Sequence, residues 1–202
     1  MARGRARAAL AATAVLAALA GCRTVPPAAP VPGPGADAPW PQQRAILETL
    51  DRYSLHGRVA VAANGQGFTA SLRYQQAAAR SDLSLDGPLG IGGLRVTLDG
   101  RELEVANSKG QQLDGELARA DLERRLGFEL PLAELRWWLL GLPAPGPSEV
   151  DDAEGEIRGF TQNGWRVSVN TRAPGLGFAL PQRLTAEREG ARLKLFVERW
   201  QP

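Results

Sequence analysis

Phe68-Thr69-Ala70-Ser71-Leu72-Arg73-Tyr74 sets an apolar side chain at every second position, with a polar or small one between. Successive side chains of a strand point to opposite faces, so this stretch reads as a strand with one dry face and one wet face. The alternation returns on both sides of it. Leu83 and Leu85 alternate with Asp82, Ser84 and Asp86, and Leu94, Val96 and Leu98 with Arg95, Thr97 and Asp99. Leu103 and Val105 follow, then Trp165, Val167 and Val169, and last Leu193, Leu195 and Val197. Between the runs stand Asn64-Gly65, Asp99-Gly100, Lys109-Gly110, Asn163-Gly164 and Glu189-Gly190. Such pairs adopt the positive φ angles of tight hairpins, and short links join neighbouring strands, so an antiparallel meander is predicted.

Two segments break the alternation. Between Gln42 and Arg52, Ile46, Leu47 and Leu50 fall at helical spacing. A helical insert is predicted at about residues 116–142. Its first half carries Leu117, Leu122 and Leu126 and ends at Gly127, a plausible C-cap; Pro131 opens its second half, with Leu132, Leu135, Trp138, Leu139 and Leu142 at steps of three and four. Gly141 and Pro143-Ala144-Pro145-Gly146-Pro147 stop it. The fold class is therefore mostly β with a helical insert (α+β), about ten short strands making a single curved sheet covered on one side. One domain, residues 40–202, holds all of this.

Upstream of it the chain reads as an address and an anchor. Arg3, Arg5 and Arg7 precede the 13-residue stretch Ala8 to Ala20, which is Ala, Leu and Val apart from Thr13. A spanning helix needs about 20 apolar residues, so this is a signal peptide of residues 1–21. It ends in Leu19-Ala20-Gly21-Cys22, which resembles the bacterial lipobox at every position, making Cys22 the expected lipid anchor. Residue 23 is Arg rather than the Asp that marks inner-membrane retention, so an outer-membrane location facing the periplasm is expected. Residues 22–39 form the lipidated end and a proline-rich tether. Extended as polyproline II at roughly 3.1 Å per residue, the tether reaches about 50 Å from the bilayer.

Composition removes several function classes. One Cys excludes a disulfide framework, and with a single His it excludes a Cys/His zinc site. The net charge of +2 owes its sign to the leader; without residues 1–21, 21 Lys and Arg face 22 Asp and Glu, and no basic nucleic-acid footprint is left. His56 has no Ser or Cys motif beside it and reads as a surface or strand-end residue. Asp151, Asp152, Glu154 and Glu156 would allow a paired-carboxylate hydrolase, though a solvated loop is the commoner reading of such a cluster. Gly87, Gly90, Gly92 and Gly93 precede a strand rather than a helix, which disfavours a phosphate cradle. No enzyme, metal or cofactor is predicted.

Two local features point to lipid instead. The turn Gly87-Pro88-Leu89-Gly90 should be polar at its centre, yet it offers Leu89. Either Leu89 folds back onto the core, or a stiff glycine-hinged tip presents it to a membrane or an acyl chain, where one buried Leu is worth about 1.5–3 kcal/mol. On the second insert helix only Trp138 shares a face with Leu135 and Leu142, which turns Trp137 elsewhere. A concave apolar sheet under a movable helical lid can hold a greasy ligand.

With these residues in view, the chain resembles the outer-membrane lipoprotein receptors of the lipoprotein-sorting pathway, the LolB family. The likeness lies in the lipobox, Trp40, Gly57-Arg58 and Gly87-Pro88-Leu89-Gly90. It continues in Gly127-Phe128-Glu129-Leu130-Pro131-Leu132 and in Leu135-Arg136-Trp137-Trp138-Leu139-Leu140-Gly141-Leu142-Pro143. Asn163-Gly164-Trp165, Leu180-Pro181 and Trp200 complete it, while Tyr74 stands where the family commonly has Trp. The resemblance implies an unclosed, curved antiparallel half-barrel with helices as a lid over an apolar cavity. It also implies a monomer that takes triacylated lipoproteins from a periplasmic LolA-type carrier and inserts them into outer-membrane lipid without nucleotide hydrolysis. Cys22 maps onto the anchor and Leu89 onto the membrane-engaging loop. Leu85, Leu94, Leu135, Trp138, Leu139 and Trp165 are the candidate cavity and lid residues. The rival expectations are a periplasm-facing lipid or glycolipid binder, an envelope assembly scaffold, and a hydrolase built on the Asp151 to Glu156 acids.

Overall fold

A computed structural model of the chain describes residues 38–87, 93–153 and 155–202. The signal peptide, Cys22, most of the tether, and Pro88, Leu89 and Gly90 lie outside the described residues. In chain order the elements are α1 (Trp40–Thr49), β1 (Arg52–Ala63), β2 (Gln66–Ala77), β3 (Arg80–Asp86), β4 (Leu94–Asp99), β5 (Glu102–Ala106) and β6 (Gln112–Asp114). Then come α2 (Gly115–Leu126), α3 (Leu132–Trp138), β7 (Glu149–Ala153), β8 (Glu156–Gln162), β9 (Trp165–Gly175), β10 (Phe178–Arg188) and β11 (Ala191–Gln201).

The strands form one sheet in the order β6-β5-β4-β3-β2-β1-β11-β10-β9-β8-β7, antiparallel throughout. Every ladder joins sequence neighbours except β1 with β11, which brings the two ends of the domain together in mid-sheet. Among the described residues β6 and β7 pair on one side only, so the curved sheet is unclosed. The chain crosses from one open edge to the other through α2 and α3.

The predicted alternation is the observed one. Leu55, Val59 and Val61 of β1, Ala70, Leu72 and Tyr74 of β2, and Leu83 and Leu85 of β3 are buried on the inner face. Arg58, Arg73 and their neighbours face out. Asn64 (φ 52°) and Gly65 (φ 77°), like Asn163 (φ 50°) and Gly164 (φ 75°), supply the two consecutive positive φ angles that a two-residue hairpin turn demands.

Five strands lie outside the periodic runs; β1 alternates all the same, and the other four do not. β6 and β7 are short edge strands with exposed residues and no alternation to detect. In β8, Ile157 points in and so do Phe160 and Gln162, three and five positions on, because an irregularity against β7 shifts the phase in mid-strand. In β10, Leu180 and Pro181 are both buried before Leu184 and Ala186 take over, across register shifts at Arg183. A strand that changes face carries no fixed period.

The helices begin and end close to their predicted bounds. α2 is closed by Gly127 in the left-handed conformation (φ 81°), whose N–H reaches Glu123 O at 2.7 Å. α3 stops about a turn earlier than its apolar spacing reaches. Leu140 N bonds Trp137 O at 3.0 Å and Gly141 N bonds Trp138 O at 2.9 Å, the tighter i to i+3 pattern that ends a helix. α1 buries Leu47 completely, and its Trp40 ring lies 4.5 Å beneath the Arg172 guanidinium.

Candidate functional site

An apolar cavity of about 80 Å³ lies between α3 and the inner face of the sheet. The sheet contributes Val59 and Val61 from β1, Leu72 from β2, Leu83 and Leu85 from β3, Leu184 and Ala186 from β10, and Leu193 and Leu195 from β11. The roof is Leu126 and Leu130 with Leu135, Trp138 and Leu139 of α3 and its end. Every lining side chain is hydrocarbon or indole. The strand residues reach the cavity because alternate positions of five strands share one concave face, the same period that marks β2, β3 and β11 in the sequence.

Leu85, Leu135, Trp138 and Leu139 are thus brought together. Leu94 and Trp165 are buried but are not among the lining residues. Leu94 belongs to the core under β4. The Trp165 ring packs edge-on against Phe128 at 5.5 Å and Trp138 at 6.2 Å, under the Arg188 guanidinium at 5.0 Å. It lines a second, wider groove of about 460 Å³ beside α3, together with Arg101, Arg119, Glu129, Glu134 and Arg188. Trp137 is not among the lining residues; it packs against the margin of the core and stacks on the Arg136 guanidinium at 4.5 Å.

Polar contacts fasten the roof at its ends. Tyr53 Oη donates to Arg136 O at 2.5 Å. Asn163 Nδ2 donates to Glu134 Oε1 at 2.7 Å. Trp138 Nε1 donates to Gln162 Oε1 at 3.0 Å, and the same amide both accepts from Ala144 N at 2.9 Å and donates to Ala144 O at 2.8 Å. Behind Tyr53 sits Tyr74, ring to ring at 5.8 Å, whose Oη donates to Gln76 Oε1 at 2.5 Å. Burial pushes both phenols up, that of Tyr53 well above its ordinary value and that of Tyr74 to about 12, with neighbouring hydrogen bonds opposing the rise at Tyr74. Tyr53, Gln162 and most of the sheet-side lining carry no sequence motif. The lining was foreseeable only as a face, and the two polar residues only once their distant partners were placed.

The remaining candidates are scattered. His56 is half-buried on β1, across from Arg73 and Arg199. Asp151 and Asp152 are exposed on edge strand β7, while Glu156 is ion-paired with Arg172 at 2.7 Å; Glu154 lies outside the described residues. Gly93 leads into β4, and a side chain there would meet Ser108 at 2.8 Å; Gly90 and Gly92 lie outside the described residues.

An open antiparallel half-barrel with a helix-roofed hydrocarbon cavity on its concave face is the class of molecule these features define. The family model described as "Outer membrane lipoprotein LolB" matches residues 51–200. The chain is similar to the outer-membrane lipoprotein LolB of Stutzerimonas stutzeri, at 35% identity over 188 residues (91% of this chain and 90% of the relative). It is similar also to those of Pseudomonas aeruginosa, at 34% over 197 residues (95% and 94%), and of Pseudomonas putida, at 33% over 192 residues (93% of each). Among solved structures, a DUF1329 family protein from Desulfovibrio piger shares the fold with a TM-score of 0.52 and 9% identity, over 80% of this chain and 90% of that one. A LolA superfamily protein from Nitrosomonas europaea superposes with a TM-score of 0.49 and 14% identity, over 78% and 92%. The chain belongs to the LolB family and is an outer-membrane lipoprotein.

Proposed function

We propose that this protein receives acylated lipoproteins from a periplasmic carrier, shelters their fatty chains under α3 and releases them into the outer membrane without hydrolysing nucleotide. The observation that carries this reading is the wholly apolar lining of the cavity in a protein of the outer membrane. Exposing acyl chains to water costs about 0.8 kcal/mol per CH₂, so tails must pass from one dry site to the next. Direction then comes from graded affinity, with the carrier weaker than the receptor and the receptor weaker than the bilayer. The cavity of about 80 Å³ is smaller than the ~150 Å³ apolar void that takes up one benzene ring, so chains enter only when α3 lifts. Cys22 serves as the lipidated mature N-terminus once residues 1–21 are cleaved, and residues 22–39 hold the domain within reach of the membrane.

The test is transfer of a triacylated lipoprotein from a loaded carrier to this protein and on to outer-membrane vesicles. Leu135→Asp places a charge against the cavity, and cargo uptake is expected to fall at least about tenfold. Leu89→Glu is expected to leave uptake intact while cargo accumulates undelivered. Uptake unchanged by Leu135→Asp would remove the cavity from the mechanism; delivery unchanged by Leu89→Glu would remove that loop.

A further inference from the structure

The outer face of the sheet carries a basic surface that neither the cavity nor its roof uses. One cross-strand row reads Ser71, Arg58, Phe196, Arg183 across β2, β1, β11 and β10. The row beside it reads Thr69, Ala60, Lys194, Thr185. All of these but Ser71 line a shallow depression of about 600 Å³. Its floor is the half-exposed Phe196 ring, held between the guanidiniums of Arg58 at 5.7 Å and Arg183 at 4.9 Å. Arg58 is paired with Glu198 at 2.8 Å, whereas among the described residues Arg183 and Lys194 form no ion pair. Ala60, Thr69, Ser71 and Thr185 are small, so the basic heads stand clear of their neighbours.

We infer that this face docks on anionic phospholipid headgroups of the membrane to which the protein is anchored. The chemistry is complementary: three cations rim a site that phosphates can enter, and the partly exposed Phe196 ring holds two of their guanidiniums in place. A lipid anchor also keeps the bilayer surface at high effective concentration, so a small patch suffices where a stable protein partner needs about 800 Å² on each side. The inference rests on the outer-membrane location alone and stands or falls independently of the transfer reading.

The chain holds two lysines, Lys194 in the patch and Lys109 in the exposed turn before β6, which supplies a reporter and an internal reference. The lipid-anchored protein is reconstituted into phosphatidylcholine vesicles with and without phosphatidylglycerol, and the acetylation rate of each lysine is read by mass spectrometry. Lys194 should slow at least about threefold relative to Lys109 on the anionic vesicles only, and the protection should vanish near 1 M salt, where the screening length is about 3 Å. Arg183→Gln should weaken the protection up to about fivefold, and Glu198→Gln, which frees Arg58, should strengthen it. A merely unfolded variant would change both lysines and could not produce the gain. Equal protection on neutral vesicles, no protection at all, or protection that appears only when an acidic protein is added would each overturn the inference.

Discussion

Gly57 sits where β1 and β11 lose register, between His56 and itself. A Cβ there would stand 2.2 Å from the carbonyl oxygen of Phe196, a contact only backbone movement can relieve. Gly57→Ala is therefore expected to destabilise the protein by about 2–3 kcal/mol, seen as a lower urea midpoint at unchanged slope. The glycine is visible in the sequence, but its reason is a close approach to a strand nearly 140 positions away, which no local pattern encodes. Tyr53 and Tyr74 carry a second residue-scale consequence. Their folded pKa values are raised, so the unfolded phenols ionise first as pH climbs past about 10. Stability fully present below that pH should then decline steadily toward pH 12, and Tyr74→Phe should flatten the decline in a denaturation series.

α3 spans only 7 residues, too few to persist by its own backbone bonds. It owes its place to apolar packing and to the clasps at Tyr53, Gln162 and Asn163. Tyr53→Phe removes the hydroxyl that satisfies Arg136 O and should cost about 1 kcal/mol, with amide exchange in α3 several times faster and acyl-probe uptake accelerated. Gln162→Leu is harsher. It strands Trp138 Nε1 and both backbone groups of Ala144 in a buried setting, and a loss of at least about 3 kcal/mol is expected from thermal unfolding. The roof itself was legible, since Leu135, Trp138 and Leu139 announce a helical face. The clasps were not: a glutamine at the end of an irregular strand and a tyrosine at the start of another look like ordinary edge residues until their partners, 18 to 83 positions off, are in place.

Across the whole molecule, the strands legible in the sequence are those with one wet and one dry face, and the illegible ones are bulged or at the margin. The concave face therefore followed from periodicity, whereas the exclusion of Leu94 and Trp165 from the cavity lining did not, because alternation states which way a side chain points and not how far along the trough it lies. A cavity of about 80 Å³ also has a kinetic signature. Uptake of a fluorescent fatty-acyl probe should reach a limiting rate at high probe concentration, set by lifting of α3, and Tyr53→Phe should raise that limit. A concentration-proportional rate without a plateau would mean the site stands open.

The gap between β6 and β7 has a further meaning. A sealed barrel has its girth fixed by strand number and stagger, so it suits one size of guest. A trough left unzipped along one seam, and bridged there only by helices, can swell or shrink without parting a single rung of its ladder. Its capacity is then elastic, which the proposed transfer of acylated cargo requires of a site whose load varies from nothing to three tails.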